Sequence, residues 1–275
     1  YFDHYQGDPA NEPLAIGGFT TVQKVYDYEP IPNELTAQEG RYILGAQGNI
    51  WTEYILTPEH VEYMAVPRML ALAEVLWTPK EKRNQMDFMK RLDIEFPRLE
   101  EMKVNASKSL YTVGFKLSPG GSGAIKVDLI CPNDGLPVLL DADNIGGTLF
   151  AGPMSVTNNR TITAACRNEH GQLRGSPVKR SLFFNKATAQ KISLSEPPNE
   201  RYNEGGAFTL VDGISAQEKR VNTEWLGWRK GVTITIDLGI EQDISYIGIG
   251  ALNETYSWIH APKSIEFEVS TDGRT

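Results

Sequence analysis

Cysteine is scarce in this chain: Cys131 and Cys166 are the only two among 275 residues. That excludes a scaffold held by several disulfides. Sequence alone cannot bring two Cα atoms within bridging distance, so two buried thiols are the expectation here. Histidine is also sparse, and His4, His60, His170 and His260 are scattered without the spacing of metal ligands. No zinc site, and no other metal or cofactor, is expected. No apolar run approaches the about 18 residues that span a bilayer. Basic residues are outnumbered, 27 Lys and Arg against 35 Asp and Glu, giving a net charge of -8 and a pI near 5.2. Binding to nucleic acid needs a basic face that displaces counterions, so that class of partner is excluded, whereas a neutral glycan is indifferent to the charge. The chain opens on Tyr1 rather than Met and closes at Ser270-Thr271-Asp272-Gly273-Arg274-Thr275, in what reads as a strand and turn. It reads as an internal fragment, for which the absence of a signal segment says nothing about secretion.

What is present is organised around Leu44 to Tyr54, where an apolar run breaks off in Trp51-Thr52-Glu53. If residues 43 to 51 form a strand, side chains alternate, and Trp51 and Glu53 leave the backbone on one side. An indole stacks on the apolar face of a pyranose, and a fixed carboxylate accepts hydrogen bonds from its hydroxyls. Tyr1-Phe2-Asp3 repeats the aromatic and acid at the same spacing. The same residues also fit a rim or core tryptophan beside a solvated acid, and the spacing alone leaves both readings open.

A chain of this length has room for two or three domains. Residues 19 to 28 have the spacing of a short amphipathic helix, stopped by Pro30 and Pro32. Thr57-Pro58-Glu59 starts a helix that reaches Trp77, kinked at Pro67, with Val61, Met64, Ala65, Leu72, Val75 and Leu76 on its buried side. Residues 85 to 102 form a further helix, bent or interrupted at Pro97. This alternation of strand and helix is the arithmetic of a βα barrel, in which functional groups sit at the carboxyl ends of strands. From Leu110 the helical period gives way to short β-prone runs, 110 to 117, 124 to 130, 136 to 140, 161 to 166 and 178 to 184, separated by turn residues, as in a β-sandwich.

Tyr1-Phe2-Asp3-His4-Tyr5-Gln6, the segment 44 to 54, Val61-Glu62-Tyr63-Met64-Ala65-Val66-Pro67-Arg68 and Ala71-Leu72-Ala73-Glu74-Val75-Leu76-Trp77 occur in an order that resembles the last part of the catalytic barrel of family 20 glycoside hydrolases. These are the β-N-acetylhexosaminidases and chitobiases. Residues 147 to 153, 161 to 164 and 185 to 188 are similar to the immunoglobulin-like module that follows the barrel in bacterial chitobiases. Leu210-Val211-Asp212-Gly213, Trp225-Leu226-Gly227-Trp228, Ile234 to Gly239, Trp258 to Pro262 and Ser270 to Gly273 resemble the first half of a discoidin, or F5/8 type C, jelly roll, whose members often bind carbohydrate and sometimes a cation near the Asp-Gly loop.

The resemblance implies a multidomain α/β plus all-β architecture. Its parts are the C-terminal part of a (β/α)8 TIM barrel over 1–104, an immunoglobulin-like β-sandwich over 105–190 and a truncated discoidin-like domain over 191–275. Trp225, Trp228 and Trp258 are then expected in the core of the last.

Functionally, the resemblance implies an exo-acting, retaining, substrate-assisted hydrolase of terminal GlcNAc or GalNAc, located in the periplasm, at the cell surface or outside the cell. The 2-acetamido oxygen attacks its own anomeric carbon, and an Asp-Glu pair orients the acetamide and supplies the general acid/base. That pair is expected upstream of this chain. Asp134-Gly135 and Asp141-Ala142-Asp143 lie in the β-rich section and are poor substitutes, and Glu100-Glu101 closes a helix in solvent. By position, Tyr1 donates its hydroxyl to the acetamido oxygen, Asp3 and Glu53 bind hydroxyls of the terminal sugar, and Trp51 stacks on its ring. Two readings stand beside it: a noncatalytic glycan-binding protein on a degenerate barrel, and an interaction module that touches no sugar.

Overall fold

The structure is a computed structural model, and it describes residues 1–133, 136–141, 147–168 and 170–273. Two compact units are present. The first comprises Tyr1–Gly114, Ile130–Phe150 and Thr163–Val178, and the second comprises Phe115–Leu129, Ala151–Ile162 and Lys179–Thr275.

The first unit is built on helices whose starts the sequence encodes. Thr21 caps α1 (Val22–Tyr26) by accepting from the Lys24 N–H, and Thr36 and Glu39 form a reciprocal capping box on α2 (Ala37–Gly40). Thr57 caps α3 (Pro58–Ala65) through the His60 N–H, with Pro58 where no donor is needed. The helix read as continuous to Trp77 is in fact two. Val66 is extended at φ -103°, ψ 131°, and α4 (Arg68–Trp77) starts afresh after Pro67. A residue before proline is driven out of the α region, so the chain breaks rather than bends.

The break also changes which side is buried. Met64, Arg68, Ala71 and Val75 form the inward stripe, while Val61 and Leu76, expected inside, are exposed. In α5 (Gln85–Glu101) the inward face is as expected, Phe88, Met89, Leu92 and Phe96, but the helix runs through Pro97 without interruption. Proline at 97 leaves the Asp93 carbonyl without its helical donor. Arg174 fills that place, its Nη2 donating to Asp93 O at 3.1 Å and to Asp93 Oδ2 at 2.9 Å. Tyr26 joins α1 to the other helices by donating to Glu74 at 2.7 Å and stacking on Phe88 with centroids 4.8 Å apart.

The β-rich part carries seven strands among the described residues: β1 (Gly114–Gly121), β2 (Ala124–Ile130), β3 (Val138–Leu140), β4 (Thr148–Leu149), β5 (Met154–Val156), β6 (Arg160–Arg167) and β7 (Leu173–Leu182). They form one sheet of order β1-β2-β5 and another of order β4-β3-β6-β7. In β6 the run Ile162 to Cys166 is buried without alternation, so both faces of that strand are covered. Its register pairs Leu139 with Ala165 and Val138 with Cys166.

Cys166 is not a thiol. It is disulfide-bonded to Cys131, just past β2, with Cα atoms 5.9 Å apart, which corrects the expectation of two free buried cysteines. Folding brings together residues 35 apart in sequence, a loop whose closure restricts the unfolded chain by about 3–4 kcal/mol.

In the second unit β8 (Lys191–Leu194) pairs antiparallel with β9 (Ile234–Asp237), Lys191 opposite Asp237. The strand read before Asp272-Gly273 does not form: among the described residues, 264 to 270 carry no ladder, and a strand exists only through its partner. The expected tryptophan core is also corrected. Trp225 and Trp228 are half-buried, each indole N–H donating to a backbone carbonyl, of Gln217 and Glu196 respectively, and Trp258 is 87% exposed.

At the Asp212-Gly213 turn, Gly213 has φ +75°, and a Cβ there would lie 3.0 Å from the Phe183 carbonyl. Asp212 accepts from the Ile214 N–H at 2.8 Å, yet burial, with help from Glu224, pushes its carboxyl up to about 7. The folded state therefore favours the protonated acid. Its contribution to stability is complete below the ordinary value of 3.8 and is lost as pH rises through 7. The melting temperature should fall between pH 5 and pH 8, and Asp212→Asn should flatten that fall. Equal pH dependence in the two proteins would rule this out.

Candidate active site

The site residues stand on segments that the barrel pattern reads as strands. Neither forms one. Residues 43 to 51 carry no regular secondary structure, and Thr52–Tyr54 is a 3-10 turn with Trp51 at its start. A parallel strand exists only through its neighbours, and those segments carry few cross-links. The alternation that put Trp51 and Glu53 on one side therefore does not apply, because a 3-10 turn rotates successive side chains by about 120°.

What does join the two tips is backbone. The Phe2 N–H donates to the Asn49 carbonyl at 2.6 Å. Gly48 lies against the Phe2 ring so closely that a Cβ at 48 would fall 2.4 Å from a ring carbon. The segment bearing Tyr1 and Asp3 is thus held beside the segment leading into Trp51 and Glu53. Tyr1 and Trp51 are open to solvent, 64% and 61% exposed, and Glu53 is exposed on its turn. Asp3 is different: it is 5% exposed, and its Oδ1 is buried without a hydrogen-bond partner among the described residues. A buried carboxylate oxygen in that state retains its full appetite for a donor.

Arg68, which apolar periodicity does not single out, organises this region. It is fully buried at the start of α4 and donates to the carbonyls of Phe2, His4, Thr20 and Met64. The carbonyls of Phe2 and His4 flank Asp3, so the guanidinium fixes the backbone on both sides of that acid. Its centre also sits 5.0 Å from the Phe2 ring centroid. Burial lowers the Arg68 pKa to about 10, opposed first by Glu12 and then by Asp3. Glu12 is itself buried, accepts from the Gln6 N–H at 2.8 Å, and is raised by burial. The signal that could have found Arg68 is its phase: it interrupts an otherwise apolar stripe at helical spacing, where only a cation with a full set of acceptors survives.

His4 completes the cluster. Its ring meets Tyr1 at a centroid distance of 5.7 Å and shares a hydrogen bond of 3.1 Å with the Thr20 hydroxyl, and burial lowers its pKa against the opposing pull of Asp3. Elsewhere, a concavity of about 390 Å³ lined by Lys179, Arg180, Phe183 and Gln217 contains none of the predicted site residues. Asp134, Gly135, Ala142 and Asp143 lie outside the described residues. Among those described, no three His, Cys, Asp or Glu side chains group as metal ligands, and no helix is long and apolar enough to cross a membrane.

The two aromatic-and-acid segments are thus tied to one another by one backbone hydrogen bond. Residues 1–80 match the catalytic domain of glycosyl hydrolase family 20. More particularly, the chain is 48% identical over 122 residues to the β-hexosaminidase of Porphyromonas gingivalis, an overlap covering 44% of this chain and 15% of that protein. It is 34% identical over 73 residues to the β-hexosaminidase of Akkermansia muciniphila, covering 26% and 15%. With the β-N-acetylhexosaminidase of Cellulomonas fimi it shares 29% over 79 residues, covering 29% and 16%. The chain thus spans about 15% of the length of the curated relatives it matches.

Proposed function

We propose that this chain is part of an exo-β-N-acetylhexosaminidase that removes terminal, non-reducing GlcNAc or GalNAc from glycans or chitooligosaccharides with retention, using the substrate's own acetamide as nucleophile. The observation that carries the reading is the family match over residues 1–80, within which both aromatic-and-acid pairs fall and are linked through Phe2 and Asn49.

In this reading Tyr1 donates its hydroxyl to the acetamido oxygen, where charge develops as the oxazolinium ion forms. Trp51 stacks on the sugar ring, and Glu53 and Asp3 accept from its hydroxyls, the unpartnered Oδ1 of Asp3 being the acceptor with most to gain. An Asp-Glu pair outside this chain orients the acetamide and transfers the proton. The β-rich parts, 105–190 and 191–275, are then the immunoglobulin-like and discoidin-like modules. A periplasmic, cell-surface or secreted location is supported by the disulfide, since such bonds persist in oxidising compartments.

The test has two arms. The full gene product should hydrolyse an aryl β-N-acetylglucosaminide and leave the aryl β-glucoside, which lacks the acetamide, untouched. The isolated chain should show no turnover of either. Hydrolysis by the isolated chain, or equal rates on both substrates with the gene product, would sink the mechanism. Glycan binding by a gene product that hydrolyses neither would favour the noncatalytic reading.

A further inference from the structure

We propose that His4 is a positioning residue for Tyr1. The inference rests on the reading of Tyr1 as the donor to the acetamido oxygen and adds what holds that donor at its angle. Within this chain the Tyr1 ring has its aromatic contact with His4. The imidazole of His4 backs it at 5.7 Å between centroids with planes 35° apart, within the range of favourable aromatic pairs.

The imidazole in turn is held by its neighbours. Gly18 adopts φ +68°, and any Cβ there would lie 2.7 Å from two atoms of the His4 ring, so the glycine makes the slot in which the ring sits. On another side the ring shares its hydrogen bond with the Thr20 hydroxyl. The two segments that form the slot are locked together: the Thr20 N–H donates to Tyr5 O at 2.8 Å, and Arg68 Nη1 donates to both His4 O and Thr20 O at 3.0 Å. Rigidity thus passes from the buried guanidinium to the histidine, and from the histidine ring to the phenol. A donor aimed at developing charge must be held before the reaction begins, because its value lies in not having to reorganise.

The test is a double-substitution cycle on the full gene product with an aryl β-N-acetylglucosaminide. Tyr1→Phe should lower kcat by about 10²–10³-fold. His4→Ala should lower kcat by about 10–100-fold, through misplacement of the phenol, with KM little changed. In the Tyr1→Phe background His4→Ala should cost nothing further, since the group it positions is already gone. His4→Phe, which keeps the ring, should retain most of the rate, whereas His4→Gln, which keeps a hydrogen-bonding group for Thr20, should not.

Losses that multiply in the double variant, or a His4→Gln protein as fast as wild type, would overturn the assignment while leaving the role of Tyr1 intact. If His4→Ala does not fold, the comparison of His4→Phe with His4→Gln decides alone. A wild-type gene product without turnover removes the reading of Tyr1, and this inference with it.

Discussion

Arg68→Met should destabilise the chain by about 3–5 kcal/mol, the cost of removing the charged partner from a buried set. The side chain is fully buried and serves the carbonyls of Phe2, His4, Thr20 and Met64 together with the nearby charges of Glu12 and Asp3. Methionine fills much the same space but donates nothing. Four carbonyls then lose a donor in a place that water does not reach, and two acids lose the cation that offsets them. Arg68→Lys should recover only part of the loss, because one ammonium cannot replicate a planar fork that reaches acceptors on three separate segments. Urea denaturation measures both. A loss under about 1 kcal/mol for Arg68→Met would mean that the carbonyls find other donors and that the cluster is not held by this residue.

Asp3→Asn should lower kcat/KM of the full gene product by about 10–100-fold, the range expected when a hydrogen bond to a charged acceptor is weakened. Stability should hardly change. Asp3 Oδ1 has no hydrogen-bond partner to lose among the described residues, and Glu12, the larger of the two opposing influences on Arg68, remains in place. A structural acid would behave in the opposite way, with a large fall in melting temperature and a rate that recovers once folded protein is counted. Unchanged kcat/KM would remove Asp3 from the sugar site. Glu53→Gln is the companion measurement: this acid is exposed on a turn, so its replacement should affect rate alone.

Local signals carried much of the architecture. The caps at Thr21, Thr57 and Asn84 fix where α1, α3 and α5 begin, and the turn-punctuated runs after Leu110 become β-strands close to the expected places. The misses share a cause: they depend on a partner far along the chain. Residues 43 to 51 have the composition of a strand, but a ladder is a relation between two segments. Pro97 looks like a helix breaker until Arg174 is seen supplying the absent donor.

Arg68 breaks an apolar pattern for a reason that lies in carbonyls at residues 2, 4 and 20. The pairing of Cys131 with Cys166 is likewise invisible until β6 is in register with β3. At the candidate site the aromatic and acidic residues are visible in the sequence as types, and the structure adds that Asp3 is buried while Tyr1, Trp51 and Glu53 are exposed. Of the supports behind them, Arg68 shows in the sequence only as a break in an apolar stripe, and Gly18 and Thr20 emerge from geometry alone.

The bridge between Cys131 and Cys166 also bears on how the chain matures. Within this stretch the two sulfurs can pair in one way only, and that pairing closes a loop between residues 35 apart in sequence. During synthesis Cys131 leaves the ribosome 35 residues ahead of Cys166, so this bridge cannot close until the whole intervening loop has emerged.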